Sequence, residues 1–148
     1  MLTDILRIIF KRDLEKLKVE LELYSREEDI WMVDKQISNS SGNLCLHLLG
    51  NLNTYIGARL GNTGYLRNRP LEFELKDVPR AELVNKIEET IKTVDRVLSL
   101  LTEEQLASDY PEDVLGGTMT TEFFLVHLAT HLNYHLGQVN YHRRLLDV

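Results

Sequence analysis

The chain has a single cysteine, Cys45, among its 148 residues, which excludes an internal disulfide and any zinc site built from several thiolates. Three prolines and eight glycines leave room for long helices. No stretch reaches the ~18 consecutive apolar residues of a membrane span. The opening residues, MLTDILRIIFKRDLEK, set Asp4, Arg7 and Lys11 among the apolar positions before a signal-peptide core can form. Positive charge is in deficit: 17 Lys and Arg stand against 23 Asp and Glu, a net charge of −6 with a pI near 5.4. A nucleic-acid backbone needs a concentrated basic surface, so that partner is excluded. The expectation is a soluble protein of a reducing compartment, the cytoplasm, with neither nucleic acid nor membrane as partner.

What is present is ordinary globular composition, 43% hydrophobic and 27% charged. A chain of this length forms one domain, residues 1–148, and buries a core without covalent staples. Four stretches carry helical periodicity. The first runs from Thr3, placed as N-cap, to Leu23, with Leu6, Ile9, Leu14, Leu17 and Leu21 as its inner stripe. After a connector containing Trp31 and a polar SNSSGN turn, the second runs from Ser41 to Leu60. Its leucines cover so much of the circumference that heavy burial follows. The segment GNTGYLRNRPLEF reads as a loop. A third helix spans Arg80 to Leu101, stepping by three and four through Leu83, Ile87, Ile91, Val94 and Leu98. A short turn begins at Thr102, and the last helix starts near Thr118–Thr121 and ends near Leu146. Four long amphipathic helices imply an all-α four-helix bundle.

Four of the five histidines, His127, His131, His135 and His142, lie on the last helix. At about 100° and 1.5 Å per residue, His127, His131 and His135 sit near 0°, 40° and 80° around the axis, close enough for neighbouring imidazoles to converge. Burying several imidazoles leaves polar nitrogens in need of partners. A metal ion accepting their lone pairs and a polar hydrogen-bonded network are both compatible with this spacing. The fifth histidine, His47, sits among leucines on the second helix, in NLCLHLLGN. One histidine from a facing helix plus an i, i+4 pair would supply three neutral nitrogens and leave coordination positions open, as catalytic sites do. Bundle cores are where such sites are usually assembled.

The bipartite pattern Asn43-Leu-Cys-Leu-His47-Leu-Leu-Gly-Asn-Leu52 and His131-Leu-Asn-Tyr-His135-Leu-Gly-Gln138 resembles the DinB/YfiT-like superfamily of metalloenzymes. The stretches Gly64-Tyr-Leu-Arg-Asn-Arg69 and Tyr141-His-Arg-Arg144 are similar to one of its branches. The resemblance covers essentially the whole chain. It implies an up-down-down-up bundle, often a homodimer, and a zinc or nickel ion on His47, His131 and His135. His127 then supports or lines the site, His142 lies too far along the helix to share the ion, and Gln138 orients a ligand or bound water. The resemblance further implies metal-dependent chemistry on a small molecule. In some relatives a low-molecular-weight thiol serves an S-transferase or isomerase, and in others water serves a hydrolase. A non-catalytic metal- or ligand-binding bundle is the alternative.

Three further residues bear on that reading. Cys45 precedes His47 by two, so it points about 200° away and reads as a core residue. Arg67 and Arg69 either hold an anionic thiol cofactor or substrate carboxylate, or belong to a solvated turn.

Overall fold

The long N-terminal helix α1 (Leu2–Leu23) buries Leu6, Phe10, Leu14, Leu17 and Leu21, the three-and-four spacing that turns one stripe inward. It starts two residues earlier than expected: Met1 is the N-cap and Thr3 is already helical and buried. Phe10, rather than the half-covered Ile9, fills the centre of the stripe. The computed structural model describes residues 1–147 and is all-helical among them, apart from two isolated bridges, Asp34 with Ile37 and Asp109 with Thr120.

A 3-10 turn (Glu27–Trp31) leads to α2 (Ser41–Leu52), whose N-cap Ser40 accepts the Asn43 N–H. Trp31 packs flat on Gly42, where a Cβ would meet the indole at 2.6 Å, so Trp31 is packing. The rod continues through a π-helical stretch (Asn53–Ala58) into the last turn α3 (Arg59–Gly61), and Asn62 stops it in the left-handed region at φ 51°. Asn and Gly are the residues that tolerate that conformation. Next come α4 (Arg69–Glu74), α5 (Arg80–Leu100), α6 (Glu103–Ala107) and α7 (Thr121–Leu146). Thr102 and Gln105 cap α6 reciprocally, and Thr120 caps α7.

Side-chain pairs fix how the four long rods run. Arg7 meets Asp95 and Lys18 meets Glu88, so α1 and α5 are antiparallel. Asp13 accepts from Asn133 and Glu20 from Asn140 and Arg143, so α1 and α7 are parallel. Tyr55 packs on Phe124 while His47 meets His131, which sets α2 and α7 antiparallel. Asn53 bonds Thr90, and the space at Gly61 is bounded by Val97, so α2 and α5 are parallel. The topology is up-down-down-up.

A parallel α2/α5 pair cannot be joined by a tight turn, so residues 62–79 must travel back along the bundle. That return carries α4, which the loop expectation for GNTGYLRNRPLEF missed. Its start signals are local: Asn68 caps the Leu71 N–H, and Pro70 sits in the first turn, where a missing N–H costs nothing. Asn43 then donates to the carbonyls of Glu72 and Leu75. These two bonds tie the end of α4 across the beginning of α2, one turn from His47.

Candidate metal centre

His47 projects from α2 and is buried, with 8% of its surface exposed. His131 and His135 project from consecutive turns of α7 and are half-buried. The antiparallel packing of α2 on α7 brings the three rings to one point. His131 Nε2 lies 3.1 Å from His135 Nε2 and 3.4 Å from His47 Nε2. One nitrogen of each ring falls within 4.8 Å of the others. His47 meets each of the other two rings nearly edge-on.

The outer nitrogens decide what faces inward. Gln138 Oε1 sits 2.6 Å from His135 Nδ1, so that nitrogen carries the proton and Nε2 presents a lone pair. At His47, Nδ1 lies 3.2 Å from Glu72 Oε1. Arg67 grips the same carboxylate with both arms, Nε to Oε2 at 2.8 Å and Nη2 to Oε1 at 2.9 Å. Its Nη2 is farther from His47 Nδ1, at 3.4 Å, than the carboxylate oxygen is. His131 Nδ1 is buried without a partner.

Burial favours the neutral form of His131 and His135. Burial, followed by the nearby His135, His47, His127 and Arg67, pushes His131 down to about 4. Burial lowers His135 as well, against the bond to Gln138, which favours its charged form. Burial opposes ionisation of Glu72, but the hydrogen bonds from His47 and Arg67 prevail and hold its carboxyl below the ordinary carboxylate value. The centre sets the weakly basic His131 and His135 and the inward His47 beside one paired anion.

This donor set fits a metal ion. Two nitrogens bound at about 2.0–2.1 Å to one tetrahedral ion lie about 3.3–3.4 Å apart, close to the 3.1 and 3.4 Å separations found here. Without an ion the cluster is under-satisfied, because a single proton on His131 Nε2 cannot serve two facing lone pairs well. Among the described residues this is the group of histidine, cysteine or carboxylate side chains arranged to hold a metal.

The remaining candidates fall elsewhere. His127 stacks between Phe124 and His131, with ring centroids 6.0 and 6.4 Å away, and borders the cluster without joining it. His142 is buried at the far end of α7, bonded to Tyr24 and to the Met32 carbonyl. Cys45 is fully buried and its thiol is pushed up to about 12 by burial, so it is a core residue. Arg67 is committed to Glu72, whereas Arg69 is exposed and lies over the Phe73 ring at 5.6 Å. Glu72 was not anticipated. The only sequence signals for it were the Asn68 and Pro70 of a helix start followed by an acidic residue in its first turn.

A helical bundle of this topology, with histidines from its second and fourth long rods meeting in the interior, defines a class of histidine-bearing four-helix proteins. A family model of the DinB superfamily matches residues 37–139, the stretch that holds all three histidines and Glu72, and the chain belongs to that superfamily. No curated protein matches the chain.

Proposed function

We propose that His47, His131 and His135 hold one divalent ion, zinc or nickel, and that the protein is a metal-dependent enzyme. It acts on a small molecule, with a low-molecular-weight thiol as the second reactant. The observation that carries this reading is the convergence of three Nε2 atoms at 3.1 and 3.4 Å in a part-buried cluster where one proton serves two facing lone pairs poorly. Three protein nitrogens leave positions free for a guest, the pattern of catalytic rather than structural sites. When bound, such an ion lowers the pKa of a coordinated thiol or water and so supplies a nucleophile at neutral pH.

The chain's own residues narrow the choice. Gln138 holds the proton of His135 on Nδ1, and the low basicity of His131 keeps its ring neutral. Cys45 is sealed in the core, so a thiol nucleophile must come from outside. Beside His135 and Gln138 a cavity of about 350 Å³, lined also by Asn39, Leu44 and Tyr141, gives it room. Exposed Arg69 on its Phe73 shelf can receive an anionic group of the thiol or its acceptor. Hydrolysis is the weaker reading, because the carboxylate that touches the histidines, Glu72, is already committed to Arg67 and His47. It is poorly placed as a general base for water, and a thiol needs less help to ionise.

The test is elemental analysis of protein purified without a histidine tag, followed by thiol titration with and without chelator. Stoichiometric zinc or nickel and chelator-sensitive thiol binding are expected. A His47→Ala protein that keeps one ion at unchanged affinity would overturn the ligand set, and a transfer activity indifferent to chelation would overturn the catalytic role.

A further inference from the structure

We infer that Glu72, clamped by Arg67, is a positioning residue that keeps the proton of His47 on Nδ1 and so aims the bare Nε2 at the centre of the histidine cluster. The inference rests on the three-histidine site proposed above and adds to it two residues from the crossover segment. A carboxylate gripped at both oxygens by a guanidinium is ionised and can only accept hydrogen bonds. Its Oε1 lies 3.2 Å from His47 Nδ1, nearer than the Arg67 Nη2 at 3.4 Å, so that nitrogen donates to the carboxylate. In neutral imidazole the other nitrogen then carries the lone pair.

The surroundings are built around this carboxylate. Glu72 is 6% exposed, and a charge so buried is tolerated only when its oxygens are occupied. Arg67 and His47 occupy them. The backbone of Glu72 is anchored by Asn43. Opposite, Gly50 lies one turn beyond His47, and a Cβ there would run into the Glu72 carboxylate, so glycine keeps the slot open. A buried ion pair contributes little stability compared with apolar packing of the same volume. Its use here is orientation.

The experiment compares wild type with Glu72→Gln and reads two quantities. The first is the His47 tautomer in the metal-free protein, from ring ¹⁵N chemical shifts. The second is zinc and nickel affinity, by competition with a chromophoric chelator. A glutamine cannot satisfy both partners: turned to accept from His47, its NH2 faces the Arg67 Nε–H, and turned the other way it donates to His47 and drives the proton to Nε2. Wild type is expected to show Nδ1–H, and Glu72→Gln a mixture or Nε2–H. Affinity is expected to fall about 10–100-fold, the usual worth of a residue that orients a metal-binding histidine.

An Nε2–H tautomer in wild type overturns the inference even if the variant does not fold. So does a tautomer unchanged in Glu72→Gln, whatever the affinity does. Failure of the metal reading is separate: wild type would then bind neither ion, while the metal-free tautomer would still decide the role of Glu72.

Discussion

His131 and His142 lie on the same helix and both pack inward, the first half-buried and the second buried, yet on opposite terms. His142 is 3% exposed. Its Nε2 donates to the Met32 carbonyl at 2.8 Å, and its Nδ1 meets the Tyr24 hydroxyl at 2.7 Å. The Met32 oxygen can only accept, so the Tyr24 proton goes to Nδ1, and Ser41, also 2.7 Å away, completes the chain. Every polar atom of that ring has one protein partner. His131 has an unpartnered Nδ1 and an Nε2 that faces two more imidazole nitrogens. Burial alone therefore does not distinguish a structural histidine from a ligand. The distinction is whether the protein itself completes the ring's hydrogen bonding.

That contrast can be broken in several ways. His131→Ala should have the largest effect on metal. Affinity in a chelator competition should drop by more than the about 100-fold that a merely supporting residue is worth. Metal-free stability should move by only about 1 kcal/mol, since the lost ring had an unsatisfied buried nitrogen. Retained affinity would erase the difference between the two histidines. His142→Ala should do the reverse: it should cost about 1–3 kcal/mol in urea denaturation of the metal-free protein, by stranding the Tyr24 hydroxyl and the Met32 carbonyl, and leave metal affinity within about twofold.

The pH dependence sharpens the same comparison. Burial lowers the pKa of His131, to about 4, and also lowers those of His135 and His142, while the unfolded rings titrate near 6.5. The unfolded chain thus binds more protons, so stability rises with pH through this range. In the metal-free protein the contribution is complete above about 6.5 and is lost as pH falls toward about 4. Urea midpoints across that window should show it, and His131→Ala should flatten the slope more than His142→Ala. A smaller effect is expected from Gly50→Ala, whose new Cβ displaces the Glu72 carboxylate. Metal affinity should weaken about tenfold, and an unchanged value would mean that the slot is not needed. The smallest belongs to His127→Gln. Its ring stacks on His131 without a hydrogen bond to the cluster, and a change in affinity above about threefold would promote it to a participant.

The long helices were readable because each buries one stripe, and the three-and-four spacing of Leu83, Ile87, Val94 and Leu98 leaves little choice of face. The His131/His135 pair was equally legible, since one helical turn places neighbouring imidazoles within reach of each other. His47 was a candidate as an inward polar residue among leucines. What escaped was Glu72, which is 25 residues beyond its partner in a segment rich in turn formers. A six-residue helix carries too few apolar positions to show a period. Its packing is supplied from outside, by Asn43 and the Arg67 clamp. The pairing of His142 with Tyr24 was hidden for a related reason, because the two are 118 residues apart and no local pattern links them.

Periodicity and caps in the chain were sufficient for four rods, their inward faces and the histidines they carry, because those properties depend on residues within a turn or two of one another. Only the packed bundle supplies the partner that orients His47. That depends on acceptors delivered across the structure: the crossover required by two parallel rods brings Glu72 to His47, and the antiparallel seam of α2 and α7 brings His47 to His131 and His135.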